Sequence, residues 1–447
     1  MKTTRATFQS LRRAVTGILL AALALPAMAI DLKNSDGSWT FSLNGNVNVD
    51  YIWSSCESAT SAVAVAGGLT CTGTTNGSNV SNIGNGLLPA AFVFGVATTQ
   101  ADIDIAGYLG LYPGIATNDG GSPNLQAGSG NGSSNTALGT TGLDVRQVYM
   151  TFGNKSMGTF TLGRQIGLFG ADAILNDMTL PGVGAPGSAA TAAPSNTTLG
   201  GIGWGYIYTD WLAQIDYTTP DISGFKLTAG IFDPLNSLSE AAAGTCAAPV
   251  PNCGVFVEPK KAPGFHAKLS FTLPFSDTSK LYASVAGLTQ KQNYNDTSLG
   301  GLGPYNYTGN AVDVFVKLDI SDLEVFGYYY HGTGVGTTAL FLLGAYNGQT
   351  RKSDGYLVQG TYKFGALKFG LQYGESKLDY ANSADQAANP SLVSSNRKGT
   401  VGLYYSLTQN LTLLAEGSET KSYAHVGGPN GDNNSGTTIN AGAFFKF

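Results

Sequence analysis

The chain reads Trp39-Thr-Phe-Ser-Leu-Asn-Gly-Asn-Val-Asn-Val-Asp-Tyr-Ile-Trp53 near its start, which is a nearly unbroken alternation of apolar and polar side chains. Successive side chains of a β-strand point to opposite faces, so this stretch has one apolar face with aromatic ends and one polar face. A soluble sandwich uses the same alternation but rarely at such length. The stretch therefore predicts a barrel strand with lipid on one side and water on the other.

The alternation recurs along the chain, at 225–231, 265–271, 312–319, 323–329, 367–373, 401–407 and 439–447. Tight connections are predicted at 219–224, 274–278, 320–322, 364–366 and 408–410. Long connections rich in Gly, Ser, Asn and Thr are predicted at 54–88, 114–141, 166–198, 234–262, 291–309, 332–352, 378–396 and 422–436. Short periplasmic turns opposite long extracellular loops are typical of outer-membrane barrels.

Counting strands between these connections predicts an all-β, transmembrane antiparallel β-barrel of about 16 strands, with the assignment of 199–218 ambiguous. An even number lets the barrel close. Closure is also required physically, because an open sheet edge in hydrocarbon leaves unpaired N–H and C=O groups that cost several kcal/mol each.

The first residues predict a secretory signal peptide over 1–29, followed by one barrel domain over 30–447. Lys2, Arg5, Arg12 and Arg13 precede an apolar run that is too short to span a membrane, and Ala27-Met28-Ala29 resembles a cleavage site. Cleavage would leave 20 basic and 29 acidic residues, a formal net charge of −9. An acidic exported chain with 12% charged residues disfavours a nucleic-acid partner.

The four cysteines form two close pairs in the sequence, Cys56 with Cys71 and Cys246 with Cys253. Export places them in an oxidising compartment, where disulfides form. Three pairings are possible, and the local pairing is favoured because each pair lies within one loop-like segment. A zinc site is disfavoured because no histidine lies near either pair.

The third long connection differs from the others, because the run Ile166 to Leu180 mixes apolar side chains with Asp172 and Asp177. Such residues suit a loop that folds into the lumen and narrows it. Arg146 on the preceding strand supports this, since an arginine facing lipid would cost roughly 2–4 kcal/mol at the midplane. If Arg146 faces the lumen, Val148, Met150 and Phe152 share its face and form an apolar bed for the loop. The alternative is an outer lid, with this face of the strand at a subunit interface.

Five segments and the last residue resemble the family of general Gram-negative porins. Asp144-Val-Arg-Gln-Val-Tyr-Met-Thr-Phe-Gly153 and Gly158-Thr-Phe-Thr-Leu-Gly-Arg-Gln165 resemble the strand pair before the constriction loop. Asn176-Asp-Met-Thr-Leu-Pro-Gly-Val-Gly184 resembles the tip of that loop. Gly201–Tyr208 and Asp221–Thr228 resemble the next strands, and Phe447 resembles the C-terminal aromatic read by the barrel-assembly machinery. The resemblance implies a homotrimer of water-filled barrels in the outer-membrane lipid.

Two departures from that family affect the constriction. Gly182 stands where the family commonly has a glutamate, so the acidic side is expected to rest on Asp177 and Asp172. Gly201 stands where an arginine is frequent, so the basic side rests on the smaller set Arg146, Arg164, Lys268 and His266. Opposed acidic and basic walls orient polar solutes, and a thin basic wall predicts a mild cation preference. The alternatives are a loop cap for Asp177 and an interface salt bridge for Arg146.

The sequence therefore predicts passive diffusion of small hydrophilic solutes and ions through a pore that requires no cofactor. One alternative is a channel specific for aromatic or nonpolar solutes, lined by Phe315, Phe326, Tyr328 and Tyr404. A structural or adhesive barrel is another. An enzyme is disfavoured because the three histidines show no catalytic spacing, and no phosphate-binding motif occurs.

Overall fold

The computed structural model describes residues 30–57, 65–70, 79–115, 143–186, 197–235, 261–294, 305–426 and 433–447. The predicted signal peptide and three of the four cysteines lie outside these residues. Two short helices occur among them, α1 (Ala171–Asn176) and α2 (Ser383–Ala388). Neither of these helices has the length and apolar character needed to cross a membrane.

The strands are β1 (Ile30–Lys33), β2 (Trp39–Cys56), β3 (Asn79–Gly84), β4 (Ala91–Gln100), β5 (Ile103–Pro113), β6 (Leu143–Asn154), β7 (Gly158–Ile166), β8 (Trp211–Thr218), β9 (Phe225–Phe232), β10 (Gly264–Ser276), β11 (Ser279–Tyr294), β12 (Tyr305–Ile320), β13 (Leu323–Thr333), β14 (Ala345–Tyr346), β15 (Gln349–Thr350), β16 (Lys352–Phe364), β17 (Leu367–Leu378), β18 (Val393–Ser406), β19 (Leu411–Ala424) and β20 (Asn433–Lys446).

Eighteen of these strands fill the sixteen positions of a closed antiparallel barrel, in which β1 continues the position of β20 beside β2, and this confirms the predicted fold class. Each strand pairs with the next along the chain, and β20 pairs with β2 to close the ring. The short strands β3 and β4 pair with successive halves of β2 and together fill one position in the barrel. The six residues between them, 85–90, turn into the lumen.

The two faces of the wall alternate as predicted. On β12, Val312, Val314 and Val316 are 46%, 42% and 43% exposed and point outward, whereas Asp313 and Phe315 are buried inside. An apolar outer face with a polar inner face is the pattern that lipid outside and water inside impose.

The predicted tight connections are confirmed, and they lie together at one end of the barrel. The turns from β12 to β13 and from β4 to β5 place non-glycine residues at positive φ, with Ser321 at 53°, Ala101 at 48° and Asp102 at 60°. Such conformations match the right-handed twist of two adjacent strands in a tight hairpin. The first described strand, β1, and Phe447 lie toward this same end, and the strand ends that face the long connections lie at the other.

The segment predicted as ambiguous, 199–218, divides into two parts. Residues 199–210 continue the long connection inside the barrel, and β8 begins only at Trp211. The resemblance of Gly201–Tyr208 to a strand is therefore wrong. Trp204, Tyr206 and Ile207 in this part are 1% or less exposed. Main-chain hydrogen bonds such as Gly203 N to Tyr206 O, 2.8 Å, hold it as tight turns.

Candidate pore constriction

The connection between β7 and β8 enters the lumen, as predicted, and forms α1. The helix starts after Gly170, whose φ of 76° suits glycine. The main-chain N–H of Gly170 donates to Oδ2 of Asp313 on β12, at 2.6 Å. A buried wall carboxylate therefore fixes the point at which the helix begins.

One side of this loop packs against an apolar bed on the inner wall. Phe169, Ala173 and Ile174 are 1%, 0% and 7% exposed. The same apolar cluster contains wall side chains of β12, β13 and β16, namely Phe315, Phe326, Tyr328, Tyr330 and Leu357. Aromatic side chains at inward-facing positions of the wall thus hold the loop in place.

The bed predicted on β6 is wrong. Val148 and Met150 are 50% and 43% exposed and point outward, although Arg146 points inward and is 7% exposed. The register between β5 and β6 shifts at Gly110 and Leu111, so that Arg146 is the extra residue of a β-bulge. A bulge reverses the side-chain alternation beyond it, which turns Val148 to the lipid side.

Arg146 lies on the lumen face of the wall, but it is covered. Its Nε donates to Oδ2 of Asp144 at 2.6 Å, and its guanidinium lies 5.4 Å from the centre of the Tyr112 ring. The hydroxyl of Tyr112 in turn donates to Gln147 at 2.7 Å. A buried and paired arginine rigidifies the wall at this level.

Arg164 lies on the outer face, so its predicted place in the basic wall is wrong. Its register partners are Val148 on β6 and Ala213 on β8, both exposed on the lipid side. Leu162, two residues earlier on the same face of β7, pairs with Met150 and Ile215, which both point outward. Arg164 therefore points outward as well. Arg164 also lies within electrostatic range of Asp210, at the end of the long connection.

Asp172 and Lys268 come together, on the helix and on β10. Lys268 Nζ lies 3.1 Å from Asp172 Oδ1, and their side chains are 19% and 13% exposed. Tyr282 and Ser284 on β11 donate to the other oxygen, Oδ2, at 3.0 and 2.6 Å. Asp172 and Lys268, both predicted for the constriction, are therefore partly exposed to water, and each holds the other in position.

His266 lies two residues before Lys268, on the same face of β10, and is buried. Its Nε2 lies 2.8 Å from Oδ1 of Asp216 on β8, and its ring centre is 5.1 Å from that of Phe232. The histidine is therefore a packed element of the inner wall, with its outermost ring nitrogen occupied by a carboxylate.

Asp177, the other predicted acid, is 3% exposed. Its oxygens accept five hydrogen bonds, from Thr179 N, Thr179 Oγ1, Gly201 N, Tyr206 Oη and Gln372 Nε2, at 2.7–3.1 Å. Burial and the neighbouring carboxylate raise the pKa of Tyr206 well above its ordinary value, so this hydroxyl stays a donor. Asp177 therefore joins the loop to β17 and to residues 199–210. This agrees with the alternative in which Asp177 caps the loop and does not line the pore.

Glu416 on β19 holds the loop tip, and the sequence analysis missed it. Its Oε2 accepts the main-chain N–H groups of Val183 and Gly184, both at 2.8 Å, and its Oε1 accepts the Tyr404 hydroxyl at 2.7 Å. A side chain added at Gly182 would collide with this carboxylate. The wall thus brings a carboxylate beside Gly182. In the sequence, Glu416 alternates in step with Leu414 and Ser418, and this was the only sign that its side chain points into the lumen.

The segment 85–90 holds the tip from the opposite side. Leu87 N donates to Gly182 O at 2.7 Å, and Leu88 N donates to Leu180 O at 2.9 Å. Asn48 on β2 accepts from Gly86 N at 2.8 Å and donates to Leu88 O at 2.7 Å. The loop therefore contacts the wall at β10–β13, at β16–β19 and, through 85–90, at β2.

Two further predicted features lie outside the constriction. Cys56 at the end of β2 is disulfide-bonded. Its partner and the pair Cys246 and Cys253, like Cys71, lie outside the described residues. Phe447 completes the ring beside Gly45, with Gly45 N to Phe447 O at 2.8 Å and Phe447 N to Gly45 O at 3.0 Å.

The closed ring of strands, the apolar outer face and the internal loop define a transmembrane β-barrel of the channel class. The sequence matches the family described as Gram-negative porin over residues 14–425. The chain belongs to this family and is an outer-membrane β-barrel, so the end with tight turns is the periplasmic end.

Several solved porin structures share this fold. The outer membrane channel DcaP of Acinetobacter baumannii has 16% sequence identity and a TM-score of 0.60, covering 93% of this chain and 99% of that chain. Salmonella typhi OmpF, in complex with daunomycin, has 13% identity and a TM-score of 0.52, covering 93% and 100%. Pseudomonas putida OprB has 11% identity and a TM-score of 0.51, covering 91% and 94%. No curated protein sequence matches the chain.

Proposed function

We propose that this porin is a channel for passive diffusion of small hydrophilic solutes and ions, narrowed by the loop at about 163–198. The observation that carries the proposal is the fixed loop with one partly exposed ion pair. Asp172 and Lys268 meet at 3.1 Å on the water side of a loop whose other side is buried against the wall. A rigid constriction with few exposed charges sorts solutes by size and charge.

We further propose a mild preference for cations. The mature chain carries 20 basic and 29 acidic residues. The basic wall is thinner than predicted, because Arg164 lies outside and Arg146 is covered. Among the described residues, the partly exposed Asp172 then has Lys268 as its one ion-pair partner.

Reversal potentials in a planar bilayer under a KCl gradient test this proposal. Asp172→Asn should lower the ratio of cation to anion permeability by about twofold, the order expected for one partly screened charge, and Lys268→Gln should raise it. Glu419→Gln, an exposed acid on the outer face of β19, is the matched control. Clear anion selectivity of the wild type, or equal effects of all three changes, would contradict the assignment.

A channel for aromatic or nonpolar solutes has less support. Phe315, Phe326, Tyr328 and Tyr404 are 0%, 6%, 3% and 2% exposed, because the loop covers the first three and Tyr404 packs with Leu88, Leu414 and Phe444. Saturable block of the ion current by an aromatic solute would revive this alternative. A structural or adhesive barrel would show no appreciable conductance.

We also propose that the chain assembles as a homotrimer and that the barrel-assembly machinery recognises Phe447. One solved relative, OmpT of Vibrio cholerae, is described as a trimer, with 13% identity and a TM-score of 0.50 over 92% of this chain and 100% of that chain. Chemical crosslinking in outer-membrane fragments tests the trimer, since a ladder ending at three copies is expected.

A further inference from the structure

Two lysines face each other across the hairpin of β16 and β17, at the periplasmic mouth of the pore. Lys363 and Lys368 are register partners that flank the tight turn 364–367. Both have the parity of inward residues, since Thr361 and Gly370 on the same faces are buried. They therefore project toward the lumen from adjacent positions.

Neither amine of this lysine pair has an acidic partner within ion-pair distance among the described residues. Lys368 Nζ lies 5.0 Å from the centre of the Tyr404 ring, which orients it. Two acids lie near the pair, Asp319 and Glu324, and they are 3.3 Å and 3.7 Å from the amine of Lys317. The charges within electrostatic range of Lys368 are therefore those of Glu324 and Glu416 on one side and of Lys317 and Lys363 on the other.

Like charges directly opposite each other destabilise a sheet. In register-paired positions the Cβ atoms lie about 4.5–5.5 Å apart, so two flexible ammonium groups can converge on one small ligand. Each ammonium offers three donors, and charge-assisted bonds to an oxyanion are strong. An anion with two charges would remove the repulsion and use both lysines.

We infer that Lys363 and Lys368 form a binding site for a small divalent oxyanion at the periplasmic mouth. The site lies beside the turn that ends β16, on the periplasmic side of the contact between Tyr404 and Glu416 that holds the loop tip. It retains anions entering from the periplasm or leaving toward it, and it is weakened by salt because it is open to water.

Binding of inorganic phosphate to the full-length protein in detergent micelles tests the site directly. At pH 8 and low salt, where phosphate is mostly divalent, ³¹P line broadening should saturate with wild-type protein. The double variant K363Q/K368Q should weaken binding at least tenfold, while K363R/K368R should retain it. Removing the repulsion should leave the glutamine variant at least as stable as the wild type, which urea unfolding checks.

The matched control is K352Q/K377Q, which removes two exposed lysines from the extracellular ends of the same two strands. Phosphate binding by this control should equal that of the wild type. Equal losses in the two glutamine variants would reveal only a general charge effect and overturn the inference, as would the absence of saturable binding to the wild type. Since the readout is binding, its failure is distinct from failure of the ion conductance proposed above.

Discussion

Two aspartates five residues apart on the same loop have different environments. Asp172 faces Lys268 and water, whereas Asp177 is enclosed by five donors. The number of donors that reach a carboxylate decides whether its charge acts on passing ions or holds the protein together.

Asp177→Asn should therefore destabilise the protein more than it changes ion selectivity. In the variant, the amide nitrogen of asparagine would lie against donors that now bond to a carboxylate oxygen. The loss of these hydrogen bonds should lower the free energy of unfolding by about 2–4 kcal/mol. Urea unfolding in micelles measures this loss. Asp172→Asn is the control, since it should change ion selectivity more than it changes stability. An Asp177→Asn variant of normal stability and altered selectivity would show that this side chain reaches the ion path.

The loop is the element on which the constriction depends, and Glu416 is the wall residue that holds its tip. Glu416→Ala should free the loop tip, because Val183 N and Gly184 N both lose their acceptor. Single-channel recordings should then show frequent transitions between conductance levels where the wild type is steady. The exposed acid Glu419, changed to Ala, provides the comparison. Equally steady currents in both variants would mean that the remaining contacts suffice.

A buried ion pair joins two elements at the extracellular end of the barrel. Arg351, just before β16, contacts Asp385 of α2 through Nε to Oδ2 at 2.8 Å and Nη2 to Oδ1 at 2.6 Å. Burial alone would raise the pKa of Asp385, but the hydrogen bonds from Arg351, Ala381 and Asn389 and the Arg351 charge together lower it below 3.8. A lowered pKa means that the ionised form is stabilised by folding.

Protection of α2 should consequently depend on pH. The contribution of Asp385 is complete above its unfolded pKa of about 3.8 and is lost as the pH falls through the lower folded value. Hydrogen exchange should therefore show α2 protected at pH 5 and opening only below about pH 4. Asp385→Asn should be poorly protected throughout, and Asp379→Asn should behave as the wild type. Loss of protection between pH 7 and 5 would point to a different group.

The strands and the internal loop could be predicted from sequence because their signals are local. A period of two residues marks Val312–Val316, and an apolar run marks Ile166–Leu180. The face of Val148 could not be predicted, since the bulge at Arg146 depends on its pairing with β5. The contacts of Asp177 were equally hidden, because Gln372 lies 195 residues away and only folding brings it near.

At the scale of the whole molecule, the pairing of β20 with β2 closes the barrel, and Phe447 extends this pairing to Gly45. Main-chain bonds join Phe447 to Gly45, and the Phe447 ring lies 5.6 Å from Phe92 and 5.8 Å from Phe445. Gly45 has no room for a side chain, since an added Cβ would meet the Phe447 ring and Ala91 O. Phe447 therefore has a packed position in the wall, besides the role in assembly proposed above.

Phe447→Ala separates these two roles, because it keeps both main-chain bonds and removes only the ring. Loss of a half-buried ring should lower the free energy of unfolding of refolded protein by roughly 1–2 kcal/mol, below the value for a fully buried phenylalanine. If the assembly machinery reads the ring, the yield of folded barrel in the outer membrane should fall several-fold more than this small loss explains. Phe445→Ala, which removes an outward ring of 44% exposure from the same strand, is the control. Equal outer-membrane yields for the two variants would mean that the terminal ring serves packing alone.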